Sequence, residues 1–199
     1  MLFVVVLAAF GTLAAWFLRS EPRGLIKILA LFYTVGLFSV AVAVSPLGVD
    51  AAPALGMRRA NWRYLLFGPL ATLALSIGVS QIGPEPEGMK QVMELAQDPG
   101  KLIPSFIAFA LLAPLVEELI FRGLLYGWIE SRWGSIVALV VSSLTFAGAH
   151  YEPAHIVLVL PLGFLFGWLR RRTNSLLPSL VSHVVNNDFA VLSAAYLSG

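Results

Sequence analysis

Apolar residues run in long blocks along this chain, and the polar ones collect between them. Seven blocks stand out, at 2–18, 25–45, 64–83, 102–129, 134–150, 154–170 and 176–197. Most reach the ~17–25 residues that a helix needs to cross the hydrocarbon of a bilayer. The short alternating runs of barrel strands are absent from the sequence, so the blocks read as helices. The pattern predicts an all-α, polytopic membrane helix bundle of about seven transmembrane helices. The first block, MLFVVVLAAFGTLAAWFL, has no basic residues before its apolar stretch and reads as a retained membrane helix, not a cleaved leader. The stretch GMKQVMELAQ behaves differently. Met89, Val92, Met93 and Ala96 recur there at helical spacing with charges opposite, which predicts a short amphipathic helix on the membrane surface. It reads as a connector in preference to a Met-lined flap over a substrate path.

Composition strengthens the membrane reading. Of 199 residues, 58% are hydrophobic and 12% charged, whereas a soluble domain carries about a quarter charged. The mean hydropathy is +0.84. The net charge of +2 is small and its basic residues sit at block ends, so no nucleic-acid footprint is present. The absence of cysteine excludes disulfides, thiol catalysis and Cys-ligated zinc. Charge also sets orientation. Arg58, Arg59 and Arg63 in one loop, and Arg170, Arg171 and Arg172 in another, belong on one side, predicted cytoplasmic. Glu85, Glu87, Glu94 and Asp98 then lie outside, with the N-terminus cytoplasmic and the C-terminus external. Arg19, Arg23 and Lys27 run against that majority. Residues 1–101 read as the first three helices plus the external loop. Residues 102–199 read as a chemistry-bearing core within the same integrated membrane domain.

The chemistry is expected where the oil is interrupted. EELIFR, residues 117–122, puts two acids and a base inside the fourth block. Ionisable groups in a bilayer are costly and mark function by default. Adjacent helix residues point about 100° apart, so Glu117 and Glu118 face different ways. Glu118 and Arg122, four apart, share a face and can neutralise each other. Glu117 is left without a partner on its own helix, which suits a general base or acid. His150 ends the fifth block, and His183 and Asn187 share one face of the seventh. Glu117, His150, His183 and Asn187 could thus meet in one cavity from three helices. Such a set could activate water for acyl hydrolysis and donate hydrogen bonds to an oxyanion. It could also ligate a divalent ion such as zinc that activates the water, although Asn is an uncommon zinc ligand and no HExxH occurs; the preferred mechanism requires no cofactor. Ser142, Ser143 and Ser182 lack a nucleophile-elbow setting. His155, after Pro153, reads as solvated at the water boundary, and Arg170 to Arg172 as membrane-boundary anchors. Asn186 and Asp188 flank the seventh-block motif without an assigned role.

Proline and glycine add local expectations. Pro114, one turn before Glu117, predicts a kink. Gly123 with Gly127, and Gly163 with Gly167, form small-xxx-small faces for close helix packing. Counting about 1.5 Å per residue from the block ends, His150 lies nearer the external side than His183. The helices must tilt or break for the four groups to meet.

Glu-Glu-x-x-x-Arg at 117–122, Phe-x-x-x-His at 146–150 and His-x-x-x-Asn at 183–187, in that order, resemble the three motifs of the CPBP family. These are the CAAX prenyl proteases of the type II, Rce-like kind, also called the ABI family. EELIFRGLLYG resembles the flanks of the first motif, and LGMRR at 55–59 a basic segment before the third helix. The likeness covers mainly residues 102–190. It implies an all-helical intramembrane endopeptidase in which Glu117 activates water with His150, while His183 and Asn187 stabilise the oxyanion. Glu118 and Arg122 match the supporting acid and base. The family has been described both as metalloproteases and as glutamate-dependent. The expected substrate is a membrane-embedded or lipid-anchored peptide, and the expected location a prokaryotic inner membrane. Two other readings compete: a non-catalytic immunity or scaffold protein that retains the motif residues, and a transporter or proton relay. The bland explanation of Glu118 and Arg122 alone is an ion pair that locks helices. Oligomeric state is not legible.

Overall fold

A computed structural model describes residues 25–83 and 86–196. The expected first helix at 2–18 lies outside them, as do Arg19, Arg23 and Glu85; at Lys27 the description extends to the backbone alone. All regular structure among the described residues is helical, as the block pattern predicts. Helix α1 spans Leu25–Val44. A 3-10 turn, Ser45–Asp50, leads into the short α2, Ala51–Ala54. Helix α3, Trp62–Ser80, starts where the Asn61 side chain accepts the Arg63 N–H at 3.0 Å, the usual way to satisfy an orphan donor of a first turn. Helix α4 is Glu87–Gln97.

A helical run of 47 residues, Leu102–Gly148, follows. It comprises α5 (Leu102–Ser105), a π segment (Phe106–Leu112), α6 (Ala113–Glu118), a second π segment (Leu119–Leu125) and α7 (Tyr126–Gly148). The run reverses at Gly134, whose φ of 83° and ψ of 168° suit a residue without Cβ. Phe121 and Phe146 lie on opposite sides of that point, yet their ring centroids are 5.5 Å apart. The fourth and fifth blocks are therefore the two arms of a helical hairpin. Helix α8, Pro153–Thr173, opens on proline in its first turn and stops where Asn174 turns left-handed at φ 50°. Helix α9 is Leu177–Tyr196.

Among the described residues, four helical runs are long and apolar enough to cross a membrane: Leu29–Ala54, Trp62–Ser80, Leu102–Gly148 and Pro153–Thr173. The third of these doubles back. The seventh block, α9, is diluted by His183, Asn186, Asn187 and Asp188 and is not among the four. The chain is an all-α integral membrane protein; the described residues alone do not reach the expected seven.

The loops sort to two sides. Ser175 Oγ donates to the Arg58 carbonyl at 2.6 Å, and the Leu176 N–H to the Gly56 carbonyl at 2.7 Å. The two arginine-bearing loops thus lie together, as the charge pattern predicts. The Gly134 reversal joins them, since Arg171 Nε donates to Ser135 Oγ at 3.1 Å. At the other side, Glu152 in the loop after α7 accepts the N–H groups of Glu87 (2.7 Å) and Gly88 (3.3 Å) at the start of α4. The apolar face of α4 is spent inside the protein. Ala96, with Val92 and Met93, packs on Val191 and Ala194 of α9 and on Phe106 and Phe109. This corrects the expectation of a helix lying on the bilayer: neighbouring helices already offer an apolar surface, so the face has no need of lipid.

Helices α7 and α8 pack closely. A Cβ on Gly163 would stand 3.0 Å from the Phe146 ring, and one on Gly167 would stand 3.0 Å from Ser143 Oγ. On the other small-residue face, a Cβ on Gly123 would meet Leu55 at 3.0 Å. Both faces serve the close approach their spacing predicts.

Candidate active site

The site is built on α6, which lies between the two π segments. A π turn shifts the hydrogen-bond ladder by one residue, and such turns recur at functional sites. The first ends just before Pro114, whose ring cannot donate to the ladder. That π turn sits directly before Pro114, where the sequence predicts a kink. Within it, the Phe109 carbonyl accepts Asn187 Nδ2 at 2.9 Å, so the irregular ladder is also what ties α9 to this helix.

Glu117 and Glu118 diverge as helical geometry requires. The Glu118 side chain has no solvent exposure, and Arg122, one turn on, is equally buried. Arg122 Nη1 donates to Glu118 Oε1 at 3.0 Å, the pairing expected from their spacing. Arg122 Nη2 also donates to the Gly163 carbonyl at 3.0 Å, which accepts Ser143 Oγ at 2.9 Å as well. The guanidinium lies over Phe146 at 4.2 Å and Phe166 at 5.4 Å. The Glu117 side chain, by contrast, keeps 19% of its exposure. Of the two acids, only Glu117 is open to a small molecule.

His183 lies between them. Its Nδ1 is 3.3 Å from Glu118 Oε1 and its Nε2 is 3.7 Å from Glu117 Oε2. The ring stacks on Phe166 at 4.8 Å. Arg122, Glu118, His183 and Glu117 therefore form one chain of charged and polar groups. The sequence pairs Glu118 with Arg122 alone, and offers His183 as an oxyanion donor or a metal ligand. The contact between His183 and Glu118 appears only when α9 docks on α6.

His150 follows a different logic. Its Nδ1 lies 3.0 Å from the Phe146 carbonyl. A carbonyl can only accept, so Nδ1 carries the hydrogen and Nε2 keeps its lone pair. The Phe146 ring contacts both imidazoles, with centroids 5.1 Å from His150 and 5.7 Å from His183. Asn187, one turn beyond His183, also accepts Asn186 Nδ2 on its Oδ1 at 3.3 Å. Of the four predicted residues, Glu117 and His183 approach each other directly, His150 and His183 both contact the Phe146 ring, and Asn187 is tied to the Phe109 carbonyl.

Three further groups matter here: two that the sequence places differently, and one, Tyr33, that it does not single out. His155 is not simply solvated. It is half-buried, and its ring meets His150 edge to face at 4.4 Å, because the turn at 149–152 is short enough to stack the first turn of α8 on the end of α7. Arg170 is not a boundary anchor like its neighbours. It is buried, donates Nε to the Arg122 carbonyl at 3.1 Å and Nη1 to Asn174 Oδ1 at 3.0 Å, and covers the Tyr126 ring at 4.9 Å. Tyr33 of α1 is buried in the apolar cluster that holds Ala113 and Val116 of α6. The available signal was a lone tyrosine in the run LIKILALFYTVGLF.

A catalytic zinc needs about three convergent protein ligands. Among the described residues no three His, Asp or Glu side chains come together as a metal site. Glu117 and His183 are neighbours, while the ring contacts of His150 are to Phe146 and His155. The donors as placed do not form a cage, so no step below is routed through an ion.

Residues 99–189 match the family model of the type II CAAX prenyl endopeptidases, Rce1-like. Over 189 residues the chain is 25% identical to YdiL of Bacillus subtilis (strain 168), described as a candidate membrane peptidase; this covers 95% of the chain and 66% of YdiL. Over 97 residues it is 31% identical to the membrane-embedded CAAX protease MroQ of Staphylococcus aureus (strain USA300), covering 45% of the chain and 39% of MroQ. The chain thus spans less than two thirds of either relative's length. No solved structure matches it.

Proposed function

We propose, from the match of residues 99–189 to the family model of the type II CAAX prenyl endopeptidases, Rce1-like, that this protein is an intramembrane endopeptidase using Glu117-activated water. The observation that carries the reading is the division of labour between the two acids. Glu118 is buried and neutralised by Arg122 at 3.0 Å, while Glu117 stays partly open and faces His183 Nε2 at 3.7 Å. A structural ion pair accounts for the first acid and leaves the second unexplained.

In this mechanism the Glu117 carboxylate takes a proton from a water molecule. His150 orients that water through its Nε2 lone pair. The water oxygen bonds to the carbonyl carbon of the scissile peptide, and the carbonyl oxygen becomes an oxyanion. His183 acts with both ring nitrogens protonated: its Nδ1–H is held by Glu118, and its Nε2–H donates to that oxyanion together with the remaining Asn187 N–H. The carbon–nitrogen bond then breaks, and the proton held by Glu117 passes to the leaving amine. Stabilisation of this kind is strongest where water is scarce, as it is between membrane helices. The substrate proposed is a membrane-embedded or lipid-anchored peptide, and the location a prokaryotic inner membrane, in keeping with the two bacterial relatives.

The test is cleavage of a panel of membrane-inserted peptides by the purified chain in liposomes. Wild type should cleave and Glu117→Ala should not, with both folded to the same extent. Equal cleavage by the two proteins refutes the mechanism. Full biological activity of Glu117→Ala in cells would instead favour an immunity or scaffold role.

A further inference from the structure

The three consecutive arginines at the end of α8 divide into one buried and two outward residues. Arg170 is committed to Arg122, Asn174 and Tyr126. Arg171 and Arg172 are exposed and line a cavity of about 270 Å³ together with Glu130, Ser135 and Trp168. That volume is about nine waters' worth, enough for a phosphate and its glycerol. Arg171 is held in place by its Nε bond to Ser135 Oγ at 3.1 Å, across the Gly134 reversal. Its terminal N–H groups, and the whole of Arg172, have no hydrogen-bond or ion-pair partner among the described residues. Glu130 does not pair with either one. It accepts the Tyr126 hydroxyl at 3.4 Å and lies within Coulombic reach of the buried Arg170.

The cavity also has a depth. Trp128 and Trp133 lie on the same arm of the reversal, 40% and 56% exposed, with Arg132 over the Trp128 ring at 4.4 Å. Trp168 packs against Phe67 of α3 at 5.9 Å and also lines the cavity. Exposed tryptophans with arginines at the ends of apolar helices mark the headgroup layer of a bilayer. Paired cations between helices at that depth suit acidic headgroups.

We propose that this cavity binds the phosphodiester of an anionic phospholipid. The two outward guanidinium groups meet its phosphate, and Glu130 accepts a hydroxyl of the headgroup, as phosphatidylglycerol would supply. This site is separate from the peptidase reading and does not depend on it.

The test uses delipidated full-length protein in detergent, with lipid binding read by native mass spectrometry and thermal unfolding. Phosphatidylglycerol should stay bound and raise Tm at ratios where phosphatidylcholine does neither. An interfacial arginine contributes roughly fivefold in affinity, so Arg171→Gln with Arg172→Gln should weaken binding by about 30-fold. Both side chains are exposed, and the unliganded Tm of the double variant should match wild type. Arg132→Gln removes an interfacial charge outside the cavity and should leave affinity unchanged. Three results would overturn the proposal. Phosphatidylcholine could bind as well. Arg132→Gln could weaken binding as much as the double substitution, making the attraction diffuse. Inorganic phosphate could displace the lipid at equal concentration, making the ligand a free anion.

Discussion

Arg122→Met removes the positive charge beneath the site and leaves an unbranched side chain of similar length. Removing one partner of a buried ion pair typically costs about 3–5 kcal/mol, because the other charge is stranded. Glu118 keeps His183 at 3.3 Å, which places the expectation at the low end of that range. The lost stacking of the guanidinium over Phe146, 4.2 Å away, adds about 1 kcal/mol. The Gly163 carbonyl loses one donor but retains Ser143 Oγ at 2.9 Å, so no acceptor is abandoned there. The net expectation is a loss of about 4 kcal/mol. Combining Arg122→Met with Glu118→Gln removes the stranded charge, and the double variant should recover about 2 kcal/mol relative to the sum of the singles. The assay is a double-mutant cycle on reversible unfolding in mixed micelles. An Arg122→Met variant within about 1 kcal/mol of wild type, or strict additivity of the two changes, would refute the reasoning. Either result would mean that the pair is solvated, not buried between α6 and α8.

Further expectations concern other parts of the structure. Glu117→Gln should lower kcat by at least about 100-fold, as loss of a general base does, with unfolding unchanged; intact turnover by the purified variant would contradict the assignment. Chelation of divalent ions should leave cleavage in liposomes intact. Loss of cleavage with specific recovery on adding zinc would transfer water activation to a metal. Glu152→Gln should accelerate hydrogen exchange at the Glu87 and Gly88 amides, since both N–H groups donate to that carboxylate; loss of a helix cap typically costs about 1 kcal/mol, and unchanged exchange would detach α4 from that loop. Gly163→Ala should destabilise by about 1–3 kcal/mol through overpacking, because its Cβ would stand 3.0 Å from Phe146 and 3.3 Å from the Ser143 carbonyl. Gly127→Ala, whose Cβ would meet the Ala54 carbonyl at an ordinary 3.5 Å, should be tolerated, and equal effects of the two would contradict the packing.

Much of this protein was legible one residue at a time. Block length and apolar content were enough for a helical membrane protein, because a bilayer leaves the backbone few other ways to satisfy its hydrogen bonds. The i, i+4 spacing of Glu118 and Arg122 was enough for their pairing, because that contact lies within one helix. The same holds for His183 and Asn187 sharing a face. Charge placement put the two arginine-bearing loops together, and the Ser175 to Arg58 bond agrees. Other features depended on contacts between helices. His183 joins both acids because α9 docks against α6, and spacing along α9 says nothing about that approach. His155 meets His150 because a tight turn stacks two helix ends, and Arg170 turns inward while Arg171 and Arg172 do not, although the sequence writes all three alike. A periodic pattern tells which face of a helix is apolar. Which neighbour covers that face, and at what height, is set by packing of the whole bundle, and there the partners of Glu117 were decided.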